Sequence, residues 1–229
     1  MSAYSVFISR ATSLEWGTTD SDPTARSPWG FNDGKVVWAP GDESGLIAWF
    51  QVGTNLGASG KRRLPVQPMV ACAEDTLRRF GDVVPTGLQM LLPVQLADEA
   101  YWHLIGGLSW FGVADPSARQ PIRVTLDGGN ADDVQRLATD IFKALKTLNT
   151  GHWTFEGYST AESDRVRLKP PFAEEMWMGV GYHAMTIEAT APEWNLDAAS
   201  WVTAFCAEAC RLAGVSTSVL VSVTNQPAS

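Results

Sequence analysis

Three segments of the sequence carry apolar residues at helical spacing on one side only, at residues 68–80, 130–148 and 196–212. In the second segment the apolar positions recur every three or four residues: Val134, Leu137, Ile141, Leu145 and Leu148. A helix with a single apolar face must cover another layer of structure. Each segment therefore predicts a helix that packs on a sheet.

Segments rich in β-branched and aromatic residues flank each predicted helix on both sides. The three pairs are residues 46–52 with 87–94, 122–126 with 152–158, and 182–190 with 219–223. Further strands are predicted at residues 4–9, 36–38 and 102–113, the last with a bulge at Gly106 and Gly107. Three strand–helix–strand units predict an α+β open-faced sandwich of ferredoxin-like type, with a mixed or antiparallel sheet and all helices on one face.

The repeated units suggest a degenerate duplication. The sequences ATSLEW at residues 11–16 and ATAPEW at residues 189–194 share four of six residues. The segment at residues 114–121 contains Pro, Ser and Asp and is the predicted seam. We expect ferredoxin-like halves at residues 1–115 and 121–229, or a single compact domain that contains both.

The charge and composition of the chain make some classes of binding partner improbable. The chain has 17 basic and 25 acidic residues and a formal net charge of −8, which disfavours nucleic-acid binding. The sequence contains no apolar run of about 18 residues and no signal-peptide pattern. The three cysteines, Cys72, Cys206 and Cys210, lack paired spacing, as is typical of a reducing compartment. We expect a soluble, cytoplasmic protein that does not bind membranes.

Stretches that resemble known motifs lack the structural context that their chemistry needs. Residues 179–184 match G-x-G-x-x-A, but they run into a predicted strand instead of opening a helix. Cys206 and Cys210 lie four residues apart without further ligands, and no histidine lies at ligand spacing from another. We therefore predict no cofactor and no metal site.

Alternation along two strands gathers polar side chains. The strand at residues 152–158 has four of them on one side, opposite Trp153 and Phe155: His152, Thr154, Glu156 and Tyr158. The strand at residues 182–190 has a second polar row: Tyr182, Thr186, Glu188 and Thr190. Because the helices are expected on the other face, both rows are predicted to share the uncovered face.

The chain contains ten tryptophans, a large number for a core of this size. Surplus indole rings often line pockets and interfaces. The irregular segment at residues 17–34 carries two aromatic residues and is predicted to be a lid. The residues predicted to bind a substrate are Trp29, Phe31, Trp153, Trp177, Tyr182 and Trp194.

A glutamate walled by indoles would lose solvation, so its pKa would rise and it would exchange protons near neutrality. Glu156 is the predicted acid or base, with Glu188 second, and His152 or Tyr158 would orient the substrate or relay the proton. The predicted function is a cofactor-independent enzyme that acts on an aromatic small molecule. Its chemistry would be proton transfer, such as a cyclisation, condensation or isomerisation, of the kind found in bacterial secondary metabolism.

A non-catalytic function is the alternative. Alternating polar residues are also typical of any strand with one solvent-exposed face. The net charge and a pI near 4.8 suit an acidic module that binds a basic protein, such as an immunity protein against a basic toxin. A homodimer that pairs through the open sheet faces is a further arrangement compatible with the pattern.

Overall fold

The computed structural model describes residues 2–17, 29–37, 45–54, 63–98, 108–148, 151–164, 166, 168 and 183–226. The helices are α1 (Ala3–Ser13), α2 (Val66–Leu77), α3 (Asp133–Arg136), α4 (Ala138–Leu148) and α5 (Leu196–Ala213). The strands are β1 (Trp29–Val36), β2 (Ala48–Thr54), β3 (Gly87–Leu92), β4 (Gln120–Asp127), β5 (Thr154–Ser159), β6 (Ala184–Ala191) and β7 (Val219–Asn225). Short 3-10 helices occur at Val94–Leu96, Leu108–Val113, Pro116–Ala118 and Glu162–Asp164.

The strands form two antiparallel sheets. Strands β3, β7, β4, β6 and β5 make a five-stranded sheet in that order, and β1 pairs with β2 in a separate two-stranded sheet. The segments β4–α4–β5 and β6–α5–β7 each skip one strand, so the two strand–helix–strand units interleave. The predicted α+β sandwich with antiparallel sheets is confirmed.

One face of the five-stranded sheet is apolar and lies under the helices. Ile122, Val124 and Leu126 alternate along β4 and are almost inaccessible to solvent. Val124 lies directly between Ile187 of β6 and Val223 of β7, so the apolar rows are continuous across strands. These rows belong to the main apolar cluster of the molecule, which also includes residues of α2, α4 and α5.

Helix α5 is the centre of the helical layer. It contacts α2, α4 and the sheet, and every residue from 198 to 210 is buried. A helix enclosed on all sides needs small or apolar residues around its whole circumference, which the alanines and cysteines of α5 provide. The helix begins where the Asn195 side chain accepts a hydrogen bond from the Ala198 N–H at 2.7 Å, and it ends at Gly214, whose φ is +85°.

The predicted strand at residues 4–9 is wrong, because this segment belongs to α1. The Ser2 hydroxyl accepts the Ser5 N–H at 3.1 Å and caps the helix. The residues that α1 buries have helical spacing: Ala3, Val6, Phe7 and Ala11. The same segment contains the short apolar run Val6, Phe7 and Ile8, which is also typical of a buried strand.

Two further strand predictions are corrected. The unit β2–α2–β3 does not join strands of one sheet, because β2 pairs with β1 and β3 pairs with β7. Residues 108–113 form a 3-10 helix rather than part of a strand, and residues 102–107 lie outside the described residues. Strand β3 from the first predicted half joins the sheet of the second half. The ATSLEW and ATAPEW sequences do not occupy equivalent positions in the fold. The first spans the end of a helix, α1, and the second spans the end of a strand, β6.

Gly128 follows β4 at the turn into α3, where the backbone leaves no space for a side chain. A Cβ at this position would lie 2.5 Å from the Ala131 carbonyl oxygen, which is a backbone atom and cannot rotate away. We expect Gly128→Ala to lower the free energy of unfolding by about 1–3 kcal/mol in urea denaturation. Gly157→Ala is the matched control, because a Cβ there meets nothing within 4 Å. Equal losses in the two variants would contradict the turn geometry.

Candidate functional site

The face of the five-stranded sheet away from the helices carries polar side chains that hydrogen-bond in pairs across the strands. The pairs are Arg123 with Glu188, Thr125 with Thr186, and Gln89 with Ser222. The Arg123 Nε donates to Glu188 Oε1 at 2.7 Å, and the two threonine hydroxyls are 3.0 Å apart. The members of each pair lie directly opposite one another in the strand register. Such pairing satisfies the polar groups and allows this layer to be partly covered.

The segment that follows β5 crosses the centre of this polar face. The backbone N–H of Val166 donates to the Thr125 hydroxyl at 2.9 Å. Farther along, Leu168 lies against Gly87, where an added Cβ would be 3.0 Å from Leu168 Cδ2. Thr125 and Thr186 are therefore almost completely buried.

An acidic depression of about 380 Å³ lies beside this crossing segment, over β5 and β6. Its lining residues are Glu156, Gly157, Tyr158, Ser159, Asp164, Thr186 and Glu188. The volume falls within the range of about 300–1,000 Å³ that is usual for ligand pockets. Three carboxylates of the described residues border this depression, and one of them, Glu188, forms an ion pair with Arg123. Glu156 and Glu188, the two predicted acid–base residues, are thus brought together.

A β-bulge in β5 places Glu156. Phe155 and Gly157 pair with consecutive residues of β6, so Glu156 is the extra residue of β5. Its side chain stays on the polar face, where Oε1 accepts a hydrogen bond from the Thr190 hydroxyl at 2.9 Å. The bulge therefore keeps Glu156 above the acidic depression.

Beyond the bulge the alternation of β5 is reversed, and this changes the position of Tyr158. Tyr158 pairs with Ile187, an apolar residue of the helix-covered face. Its hydroxyl is 2.8 Å from the Thr139 hydroxyl of α4, and its ring centroid is 5.1 Å from that of Phe142. The prediction that Tyr158 shares a sheet face with Glu156 is wrong, although Tyr158 still borders the depression.

Asp164 is a third carboxylate of the depression. Hydrogen bonds from the Ser159 hydroxyl, and to a smaller extent from the Ser163 hydroxyl, lower the pKa of the Asp164 carboxyl. The charge of Arg123 acts in the same direction as a smaller effect. Asp164 is therefore ionised at neutral pH and adds a fixed negative charge.

Three of the aromatic residues predicted to bind a substrate are core residues. Trp29 and Phe31 are each 5% exposed and Trp153 is 1% exposed. Trp29 donates its indole N–H to the Arg63 carbonyl at 3.1 Å, and the Trp153 ring packs on Phe205. Residues 29–34 belong to β1, so this part of the predicted lid is a strand instead. None of the three lines the acidic depression.

The other predicted site residues are dispersed. His152 precedes β5, and its ring centroid lies 6.4 Å from Phe111 and 6.3 Å from Trp153 rather than at the depression. Trp194 borders a different depression at the end of the sheet. Trp177 and Tyr182 lie outside the described residues.

Sequence reasoning did not single out Arg123, Ser159 or Asp164. The orientation of Arg123 could be predicted from the sequence, because Arg123 stands between the apolar residues Ile122 and Val124 on β4 and so must face the polar side. The positions of Ser159 and Asp164 could not, since that of Ser159 depends on the bulge in β5 and that of Asp164 on the path of the chain after β5.

In the ranges that the structure describes, no group of three His, Cys, Asp or Glu side chains is arranged to hold a metal ion. None of the helices in those ranges has the length and apolar character needed to cross a membrane. Comparisons of the chain with protein-family models, with curated proteins and with solved structures found no match. The function is therefore argued from geometry.

The hydrogen bonds to Asp164 predict a change in its titration. An Asp whose pKa is lower in the folded than in the unfolded state stabilises the fold above about pH 4, and this contribution is lost as the pH falls. Ser159→Ala removes the larger cause, so we expect the pKa of Asp164 to rise toward the ordinary Asp value in an NMR titration of its carboxyl carbon. Ser163→Ala is the control and should give a smaller rise. A pKa that is unchanged in Ser159→Ala would contradict this assignment.

Proposed function

We propose that this protein is a non-catalytic binding module whose acidic depression binds a cationic side chain of a basic partner protein. The observation that carries the proposal is the convergence of Glu156, Asp164 and Glu188 on one depression of the sheet. The net charge of −8 acts in the same sense at longer range, because it attracts a basic partner and speeds its association.

The carboxylates retain capacity to accept hydrogen bonds. Glu156 uses Oε1 for Thr190, and Glu188 uses Oε1 for Arg123. Within the described part of the chain, neither Oε2 takes part in a hydrogen bond. A guanidinium offers five N–H donors in a planar fork that matches carboxylates in pairs, so an arginine of the partner suits this arrangement best.

The same geometry disfavours general acid–base catalysis. The predicted acid–base role depends on apolar walls that exclude water and so raise a glutamate pKa toward neutrality. Among the residues that the structure describes, those lining the acidic depression include no tryptophan, and Trp29 and Trp153 are packed in the core. The lowered pKa of Asp164 also favours a permanent charge over proton exchange.

A cofactor-independent enzyme that performs proton transfer on an aromatic small molecule is the second candidate. It is favoured by one observation, namely that Glu156 and Glu188 line the same depression with Tyr158 at its border. Native mass spectrometry of freshly purified protein separates the candidates. A bound small aromatic that Glu156→Gln loses would favour the enzyme, whereas a basic protein that salt releases would favour the module.

We also infer that residues 120–225 form a ferredoxin-like unit. The order β4–α4–β5–β6–α5–β7 along the chain and the order β7-β4-β6-β5 in the sheet support this assignment. A degenerate duplication is supported by the series α1–β1–β2–α2–β3, which has the same sequence of elements as α4–β5–β6–α5–β7. The last strands of the two series, β3 and β7, pair antiparallel, as expected for related halves joined at equivalent edges.

The cytoplasm is the proposed location, because Cys72, Cys206 and Cys210 are all buried free thiols. A homodimer through the open sheet faces is less well supported. Val166 and Leu168 already lie over the centre of that face.

Charge-neutralising variants test the module. We expect Glu156→Gln and Glu188→Gln each to weaken binding of a short arginine-rich peptide about tenfold, or about 1.4 kcal/mol, in low-salt calorimetry. Arg123→Gln should strengthen binding, because it releases Glu188 from its ion pair. Asp140→Asn removes one exposed charge on α4, outside the depression, and is the matched control. Equal affinities of Glu156→Gln, Glu188→Gln and Asp140→Asn would show that net charge alone attracts the peptide.

A further inference from the structure

A second depression lies at the end of the five-stranded sheet, on the side of the helices. Its volume is about 460 Å³, and its lining residues are Ala118, Gln120, Glu193, Trp194 and Asn225. Gln120 stands two residues before Ile122 on β4, and Asn225 of β7 lies directly opposite Ile122. Because Ile122 is buried under the helices, both residues belong to the helix-covered face of the sheet. We call this the Trp194 depression; the acidic depression lies on the opposite face.

The indole of Trp194 is held in place by the protein itself. Its Nε1–H donates to the Pro85 carbonyl at 2.8 Å, and the ring packs against the main apolar cluster. The residue is nevertheless only half-buried, and it lines the depression. A ring whose orientation is fixed in advance loses little entropy when a ligand stacks on it.

Three half-buried polar residues line the same depression as Trp194: Gln120, Glu193 and Asn225. Their side chains form no hydrogen bonds with the part of the chain that the structure describes. Partly desolvated amides and carboxylates gain most from a ligand that supplies the missing partners. Two amides offer donors and acceptors together, and the carboxylate offers acceptors only.

The carboxylate of Glu193 disfavours an anionic ligand in the Trp194 depression. A phosphate or carboxylate ligand would place a like charge beside it. A flat, wholly apolar ligand would stack on the indole but would leave the three polar side chains without partners.

We propose that the Trp194 depression binds a neutral pyranose, with the C–H face of the sugar on the indole and its hydroxyls on Gln120, Asn225 and Glu193. Each sugar hydroxyl both donates and accepts, which is the combination that two amides and one carboxylate satisfy. Binding of a sugar at this site requires neither a cofactor nor a proton transfer. This site does not depend on the function proposed for the acidic depression.

Saturation-transfer NMR tests the site with four probes: the methyl glycosides of glucose, galactose, mannose and N-acetylglucosamine. We expect saturation of the ring C–H protons in at least one of them. Gln120→Ala and Asn225→Ala should each weaken that binding about tenfold, since each removes hydrogen bonds to the sugar. Neither side chain has a described hydrogen bond to lose, so both variants should fold, and circular dichroism checks this.

Two controls separate this site from the rest of the surface. Trp110 is 46% exposed and lies outside the depression, so Trp110→Phe should leave sugar binding unchanged. Glu156→Gln should also leave it unchanged, because it changes the other face of the sheet. The proposal is overturned if folded wild-type protein transfers saturation to none of the four glycosides. It is equally overturned if the Gln120→Ala and Asn225→Ala variants bind as the wild type does.

Discussion

Burial of the apolar rows of β4, β6 and β7 under α5 is the interaction on which the rest of the structure depends. A strand has a side-chain period of two, so a slip of one residue in β4 would turn Ile122, Val124 and Leu126 toward the polar face. The cost of exposing three such side chains is about 1.5–3 kcal/mol for each, which fixes the register firmly. Once that register is fixed, the side chains between them must face the other way. Arg123 and Thr125 therefore meet Glu188 and Thr186, and the polar layer follows from the apolar one.

The bulge in β5 interrupts the alternation of apolar and polar faces at one position of the sheet. Strand β5 lies at the edge of the sheet, where an extra residue disturbs pairing on one side only. By taking up Glu156 as the extra residue, the bulge leaves its carboxylate on the polar face and turns Tyr158 toward α4. The acidic depression thus contains Glu156 and Glu188, which the strands bring together, while Trp29 and Trp153, which were expected beside them, are packed in the core. This separation of indoles from carboxylates is why we favour binding over proton transfer.

The sequence was sufficient wherever a single face had to be buried. The apolar spacing of Val134, Ile141 and Leu145 predicted residues that are buried, and the apolar stripe at residues 196–212 predicted nearly the whole of α5. Glu156 and Glu188 were placed on one face for the same reason. In α1 a short apolar run fits either a helix or a buried strand, and packing of Phe7 against β1 and α2 favours the helix.

What the sequence could not predict depends on pairing between distant segments. The partner of β2 is β1 rather than a strand of the larger sheet, and alternation within β2 is the same in either case. A bulge needs only one extra residue, and Gly157 was its only local sign. The position of Asp164 depends on the path taken by the chain after β5, which the hydrogen bond from Val166 to Thr125 helps to fix.

The placement of Tyr158 relative to Glu156 tests the account most directly, because it depends on the register of β4 and β6 and on the bulge together. Nuclear Overhauser spectroscopy of the folded protein measures it. The account predicts contacts from the Tyr158 ring to Phe142 and Thr139 of α4, and from the Glu156 side chain to Thr190. Contacts from the Tyr158 ring to the Thr186 side chain as its direct cross-strand neighbour would contradict it, because a regular β5 without the bulge would pair Tyr158 with Thr186.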